Sequence, residues 1–226
     1  MITKYKLFET LNHRGSKSLD EREFDQIRKD NCKNWTKAKT SLYRGQIDLC
    51  PYVYTDPRGL KRSSIEKISA HVDAIDNLPS WSKYPTYSES VIGSSELHFY
   101  LSGYGKIYEI IPFDNIDIAV CSKEDIWESL GGHGDEDPIR MTQKLLDDLG
   151  IDKIEDLKKV GKIENYWCLT GTNITGETYY NFINDEWLNP IVNGFSIVKY
   201  TEGFEIPDHK QIWTNGPVLL IHRELA

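Results

Sequence analysis

The residues of this chain best suited to chemistry begin with Ser41-Leu-Tyr-Arg-Gly-Gln46, a short β-type run in which Arg44 is followed at once by Gly45. A guanidinium on an ordered strand offers a fixed fork of donors, and a glycine beside it leaves the backbone open, which suits a phosphate or pyrophosphate. The same triplet also fits a surface arginine at a strand end. Further along, Tyr87-Ser-Glu-Ser-Val-Ile-Gly-Ser-Ser95 carries Ser90, Ser94 and Ser95 on a short strand. Serines on a strand are costly in a core unless paired, so the row predicts an exposed face or a polar site. The acidic loop His133-Gly-Asp-Glu-Asp137 lacks the twelve-residue calcium pattern. The aromatic run from Tyr179 to Trp187 fits a stacking platform for a base, or simply core and rim.

The elements that must position these groups follow from patterning. Ser18-Leu-Asp-Glu21 reads as a capping box opening a helix to about Trp35, with a thin apolar stripe of Phe24, Ile27 and Trp35. After the Leu42 strand, Cys50 to Gly59 reads as irregular because of its prolines and glycine. Ser63-Ser-Ile-Glu66 opens a second helix, with Ile65, Ile68, Val72, Ile75 and Leu78 stepping by three and four until Pro79 stops it; His71 falls among its polar positions and reads as a surface histidine. Gly105–Pro112 and Ile116–Cys121 read as strands joined in a hairpin by Phe113-Asp-Asn115. A short helix through Ile126, Trp127 and Leu130 follows. The next begins at Pro138 and stops at Gly150, and a third covers Asp152 to Val160. Strands at Gly194–Tyr200 and Pro217–His222 close the chain, with the polar loop Glu205 to Gly216 between them. Strands at the edges and helices in the middle make the class α+β.

Composition narrows the function classes. A chain of 226 residues with six Trp and thirteen Tyr can build a sizeable core. No apolar run approaches the roughly 18 to 20 residues of a membrane span, and Met1-Ile-Thr-Lys-Tyr-Lys6 lacks the layout of a secretory signal, so the expectation is a cytoplasmic protein without membrane partners. Cys32, Cys50, Cys121 and Cys168 form no C-x-x-C pair, which argues against structural zinc and for reduced thiols. The net charge of −8 opposes indiscriminate nucleic-acid binding, although Arg28, Lys29, Lys33, Lys37, Lys39 and Arg44 face only Asp30 in sequence, and Arg58, Lys61, Arg62 and Lys67 follow.

A strand bearing Arg44-Gly45, an amphipathic helix, a strand ending Val-Ile-Gly-Ser94-Ser95, further strands, and a last strand preceded by a polar loop together resemble the ADP-ribosyltransferase family, of bacterial or phage type. The resemblance implies a core of two small packed antiparallel sheets with surrounding helices. It implies a single domain over 1–226, with an N-terminal helical extension over 1–40 and a helical insertion over 122–190. It also implies NAD as co-substrate, with no metal, in a cleft where an arginine, a serine and a glutamate converge. Carried over by position, Arg44 and Gly45 take the cofactor-binding role with Ser90 and Tyr87 nearby, Ser94 or Ser95 is the serine, and the third position falls at Gln211.

Gln211 is a departure, since an amide keeps hydrogen bonds but supplies no negative charge for an oxocarbenium-like transition state. It fits a substituted, inactivated form of a toxic enzyme, which is the favoured explanation; a relative that only binds, such as a nucleotide-binding or phage accessory protein; or a shifted register in which Glu205 or Glu202 is the carboxylate. A second departure is Tyr87, where a basic residue is expected from phage relatives. The resemblance implies a macromolecular acceptor, either RNA, DNA or protein, and a role such as the toxin of an antiphage toxin–antitoxin system, with an antitoxin as a further partner. A Ser-His-Asp hydrolase is disfavoured by the lack of a G-x-S-x-G elbow.

Overall fold

The structure, a computed structural model, describes residues 15–46, 50–60, 70–97, 105–131, 137–163 and 174–225. These residues divide into two compact units, one within 1–65, 84–125 and 196–226, the other within 66–83 and 126–195. No helix among them is long and apolar enough to cross a membrane.

The first unit holds the sheet: β1 (Ser16–Leu19), β2 (Leu42–Gln46), β3 (Tyr52–Thr55), β4 (Val91–Ser94), β5 (Lys106–Pro112), β6 (Asp117–Val120), β7 (Ser196–Lys199), β8 (Gln211–Thr214) and β9 (Val218–His222). The class is α+β, but the expected pair of sheets is instead one nine-stranded sheet in the order β1-β3-β9-β5-β2-β4-β8-β6-β7, every pairing antiparallel. Its centre is narrow. β2 pairs with β5 from Leu42↔Ile110 to Gln46↔Lys106, and β4 pairs with β8 from Val91↔Thr214 to Ser94↔Gln211. β2 and β4 themselves meet only at Tyr43↔Ser94. Gly93 permits that approach: a Cβ there would sit 2.8 Å from the Tyr43 carbonyl oxygen and 2.3 Å from Ile110 Cδ1.

Strand alternation sorts the side chains into two layers. Leu42, Tyr108, Ile110, Val91, Ile212, Val120, Val218 and Leu220 form one core cluster with Tyr200, Phe204 and Ile206. Ile111, Leu219 and Ile221 face the other way and pack with Leu19, Phe24 and Cys32. Phe24 comes from α1 (Glu21–Asn31), the helix expected near here. Its capping box is formed by Asp20 and Glu23 rather than Ser18 and Glu21, because Ser16–Leu19 is spent as β1 against β3.

Three further expectations are corrected. Tyr52-Val-Tyr-Thr55, read as irregular, is an interior strand, since its prolines lie outside the ladder and its own residues are β-formers. β5 and β6 do not form a hairpin: β5 lies between β2 and β9, and β6 between β8 and β7. The link between them is held by Asp114, whose carboxylate accepts from the Lys33 and Asn34 amides at 3.0 Å each. β8 occupies the second half of the segment read as a polar loop.

The second unit contains α2 (Ala70–Asn77), α3 (Ile126–Ser129), α4 (Pro138–Leu149) and α5 (Gly176–Phe182), the last continuing into a π-helical turn at Ile183–Trp187. α4 begins and ends as expected: the Asp137 carboxylate accepts from the Ile139 amide at 2.8 Å, Pro138 occupies the first turn, and Gly150 adopts φ 65. The expected Asp152–Val160 helix is a 3-10 helix over Ile154–Lys159. His71 is buried at 3 % exposure, its ring 5.1 Å from that of Trp127, because packing within the unit covers the side of α2 that its flanking residues suggested was solvated. The acidic loop with His133 and the start of the second helix lie outside the described residues. Among the described residues, no group of three or more His, Cys, Asp or Glu is placed to hold a metal ion.

Candidate functional site

The sheet brings residues far apart in sequence to one line across its centre: Tyr43 on β2, Ser94 on β4 and Gln211 on β8. Antiparallel partners project from the same face, so these three side chains share one side of the sheet. Arg44 is one residue further along β2 and belongs to the other layer, opposite Tyr108. Arg44, Ser94 and Gln211 thus converge as backbone positions on three adjacent strands, with Arg44 projecting to the opposite side. All three are 3 % exposed or less. Gly45, beside Arg44, pairs with Ile107 in the β2/β5 ladder.

Hydrogen bonding separates the serines. The Ser90 hydroxyl donates to the Thr86 carbonyl at 2.6 Å, closing the turn before β4. The Ser95 hydroxyl donates to the Pro207 carbonyl at 2.9 Å and accepts from the Lys210 amide at 3.0 Å, tying the loop before β8 to the end of β4. The Ser94 oxygen accepts from the Glu96 amide at 3.0 Å, which leaves its proton available to donate. Of the three, Ser94 is the one that is both Gln211's ladder partner and still able to donate.

Gln211 is fixed through its backbone on both sides. Its amide donates to the Glu124 carbonyl at 2.8 Å and its carbonyl accepts from the Cys121 amide at 3.0 Å. The Cys121 thiol reaches the Gln211 Oε1 at 3.8 Å. Tyr87 is 2 % exposed and stands edge-on to Trp213, ring centroids 5.5 Å apart, while the Trp213 indole donates to the Pro85 carbonyl at 2.9 Å. That places Tyr87 in the packing of β8.

The alternative carboxylates lie elsewhere. Glu205 pairs with Lys39 at 2.7 Å and Glu202 with Lys37 at 2.9 Å, all four side chains more than half exposed. Neither glutamate lies on a strand, which leaves Gln211 as the residue of this set beside Ser94.

One pair of groups was not anticipated. Glu96, two residues after Ser94, contacts the Nδ1 of His209, two residues before Gln211. The signal available in the sequence was the two-residue spacing from each of the candidate positions, visible only once β4 and β8 are known to pair. Comparison of the chain with protein-family models, with curated proteins and with solved structures finds no match.

Proposed function

We propose that the chain is an NAD-dependent ADP-ribosyltransferase acting on a macromolecule, with Gln211 in the place of the carboxylate that would make it fully active. The observation that carries this reading is the pairing of Ser94 with Gln211 on adjacent strands β4 and β8, with Tyr43 and Gly45 of β2 on the same face beside them. In this reading the open backbone at Gly45 takes the phosphate and ribose side of NAD, while Arg44, which projects from the opposite face of the sheet, does not touch the dinucleotide. Ser94 donates toward residue 211, and a carboxylate at 211 would stabilise positive charge developing at the ribose carbon as nicotinamide leaves. Because these residues are covered in the structure, a dinucleotide reaches them only if neighbouring protein gives way.

The test is incubation of the chain and its Gln211→Glu form with labelled NAD and a cell extract, followed by separation of protein, DNA and RNA. The expected outcome is label in one fraction, raised on the order of 10²-fold or more by the glutamate, the scale of a single electrostatic transition-state contact. Absence of label from both forms overturns the reading, whether or not NAD binds.

A second reading, a non-catalytic nucleotide-binding protein, is favoured by the engagement of Gln211 with Cys121 and its backbone neighbours. It expects equal NAD binding by both forms and no transfer by either.

A further inference from the structure

We propose that Glu96 and His209 form the proton-accepting dyad of the transfer reaction and that the acceptor is a hydroxyl group. This rests on the transferase reading above.

The dyad's location follows from the ladder. β4 and β8 run antiparallel with Ser94 opposite Gln211. Their pairing continues past the strand ends, where the Ser95 amide donates to the Lys210 carbonyl at 2.9 Å. Glu96 and His209 are the next pair along, two residues from Ser94 and Gln211 respectively, a displacement of roughly 7 Å at the usual strand rise.

The pair is held from both sides. The Glu96 amide donates to Ser94 Oγ, and the loop carrying His209 is clamped by the two hydrogen bonds of the Ser95 hydroxyl to Pro207 and Lys210. Lys210 itself is turned away, its ammonium on the Ser122 carbonyl. His209 also sits at φ 60, a left-handed backbone that is strained for a non-glycine residue and that needs surrounding structure to maintain it.

With Nδ1 on the Glu96 carboxylate, the imidazole is oriented and Nε2 is its remaining basic nitrogen. No hydrogen bond among the described residues engages Nε2, and the side chain is 61 % exposed while that of Glu96 is 24 % exposed. A carboxylate that orients one nitrogen and stabilises the imidazolium is what a general base needs to take a proton from a poor nucleophile. In the step itself the acceptor oxygen forms a bond to the ribose C1′ of NAD. The C1′–nitrogen bond breaks, and its electron pair neutralises the pyridinium as nicotinamide departs. The hydroxyl proton passes to His209 Nε2, where Glu96 balances the charge.

The left-handed backbone supplies a clean test. His209→Gly removes the imidazole at a position whose φ glycine adopts without strain, so the variant keeps its fold and its melting temperature stays level or rises. Transfer from labelled NAD is measured with the Gln211→Glu chain as parent, alongside NAD binding by both. The expected result is unchanged NAD binding, transfer lowered by about 10²- to 10⁴-fold, and recovery on adding free imidazole, which a structural role for His209 would not produce. Glu96→Gln is expected to lower transfer less, also without loss of NAD binding. Transfer by His209→Gly equal to that of the parent overturns the dyad and leaves the transferase reading intact. A parent that binds no NAD, or binds it without transfer, overturns the transferase reading and the dyad with it.

Discussion

Ser94 differs from the other serines of its tract in what its hydroxyl still has to give, and nothing in the string Ser-Val-Ile-Gly-Ser-Ser could show it. Ser90 and Ser95 spend their protons on the Thr86 and Pro207 carbonyls, one local and one 112 residues away. The expectation of an exposed face therefore fails for a physical reason: the row is buried because backbone groups satisfy it, locally at Ser90 and Ser94 and from a distant loop at Ser95. A similar argument governs Cys32. Burial, with the Asp114 charge as a secondary cause, pushes its thiol up from the ordinary 9.0 to about 12. The folded state therefore keeps a proton that the unfolded chain loses. The stabilisation is full below about pH 9 and is lost as pH rises toward about 12, at roughly 1.4 kcal/mol per pH unit. Denaturant midpoints compared at neutral pH and at pH 10 are expected to fall in the native chain, and to fall less in Cys32→Ala.

At the level of elements, Gly93 decides whether the sheet is continuous. Gly93→Ala pushes a methyl into the Tyr43 carbonyl and Ile110, and is expected to cost about 1 to 3 kcal/mol, read from chemical denaturation. The loss should exceed that of an alanine placed at Gly150, where a Cβ meets nothing within 4 Å and only the left-handed backbone is strained. Elements with an internal signal were legible. Arg44's strand, β5, β6, β9 and the Pro138-to-Gly150 helix lie where their residues indicated. Of those missed, β3 has β-forming residues of its own that the nearby prolines obscured, whereas β1 and β8 take their place from the strands they pair with. Gln211 was thus legible as a residue, but its place on a strand beside Ser94 was not.

For the molecule as a whole, the basic tract from Arg28 to Arg44 is less basic in space than in sequence. Lys37 and Lys39 meet Glu202 and Glu205, and Arg28 meets Asp25 at 2.9 Å while lying over Trp35. With a net charge of −8, indiscriminate duplex binding is expected to be undetectable at about 0.15 M salt. Replacing Glu202 and Glu205 together by glutamine frees two lysines and is expected to raise affinity for duplex DNA at low salt, a gain that disappears as salt is added; fluorescence anisotropy across a salt series measures both.

The order of strands in the sheet also has a consequence for how the protein comes into being on the ribosome. β9 lies between β3 and β5, and β8 between β4 and β6, so the segment from Gln211 to His222 supplies two interior strands to partners made long before. As the chain is translated, β3 and β5 wait without their shared neighbour, as do β4 and β6. Position 211 acquires its ladder partner at the same late moment. The candidate site is therefore absent from any nascent chain that has not reached Gln211 and forms only as the sheet closes around β8 and β9.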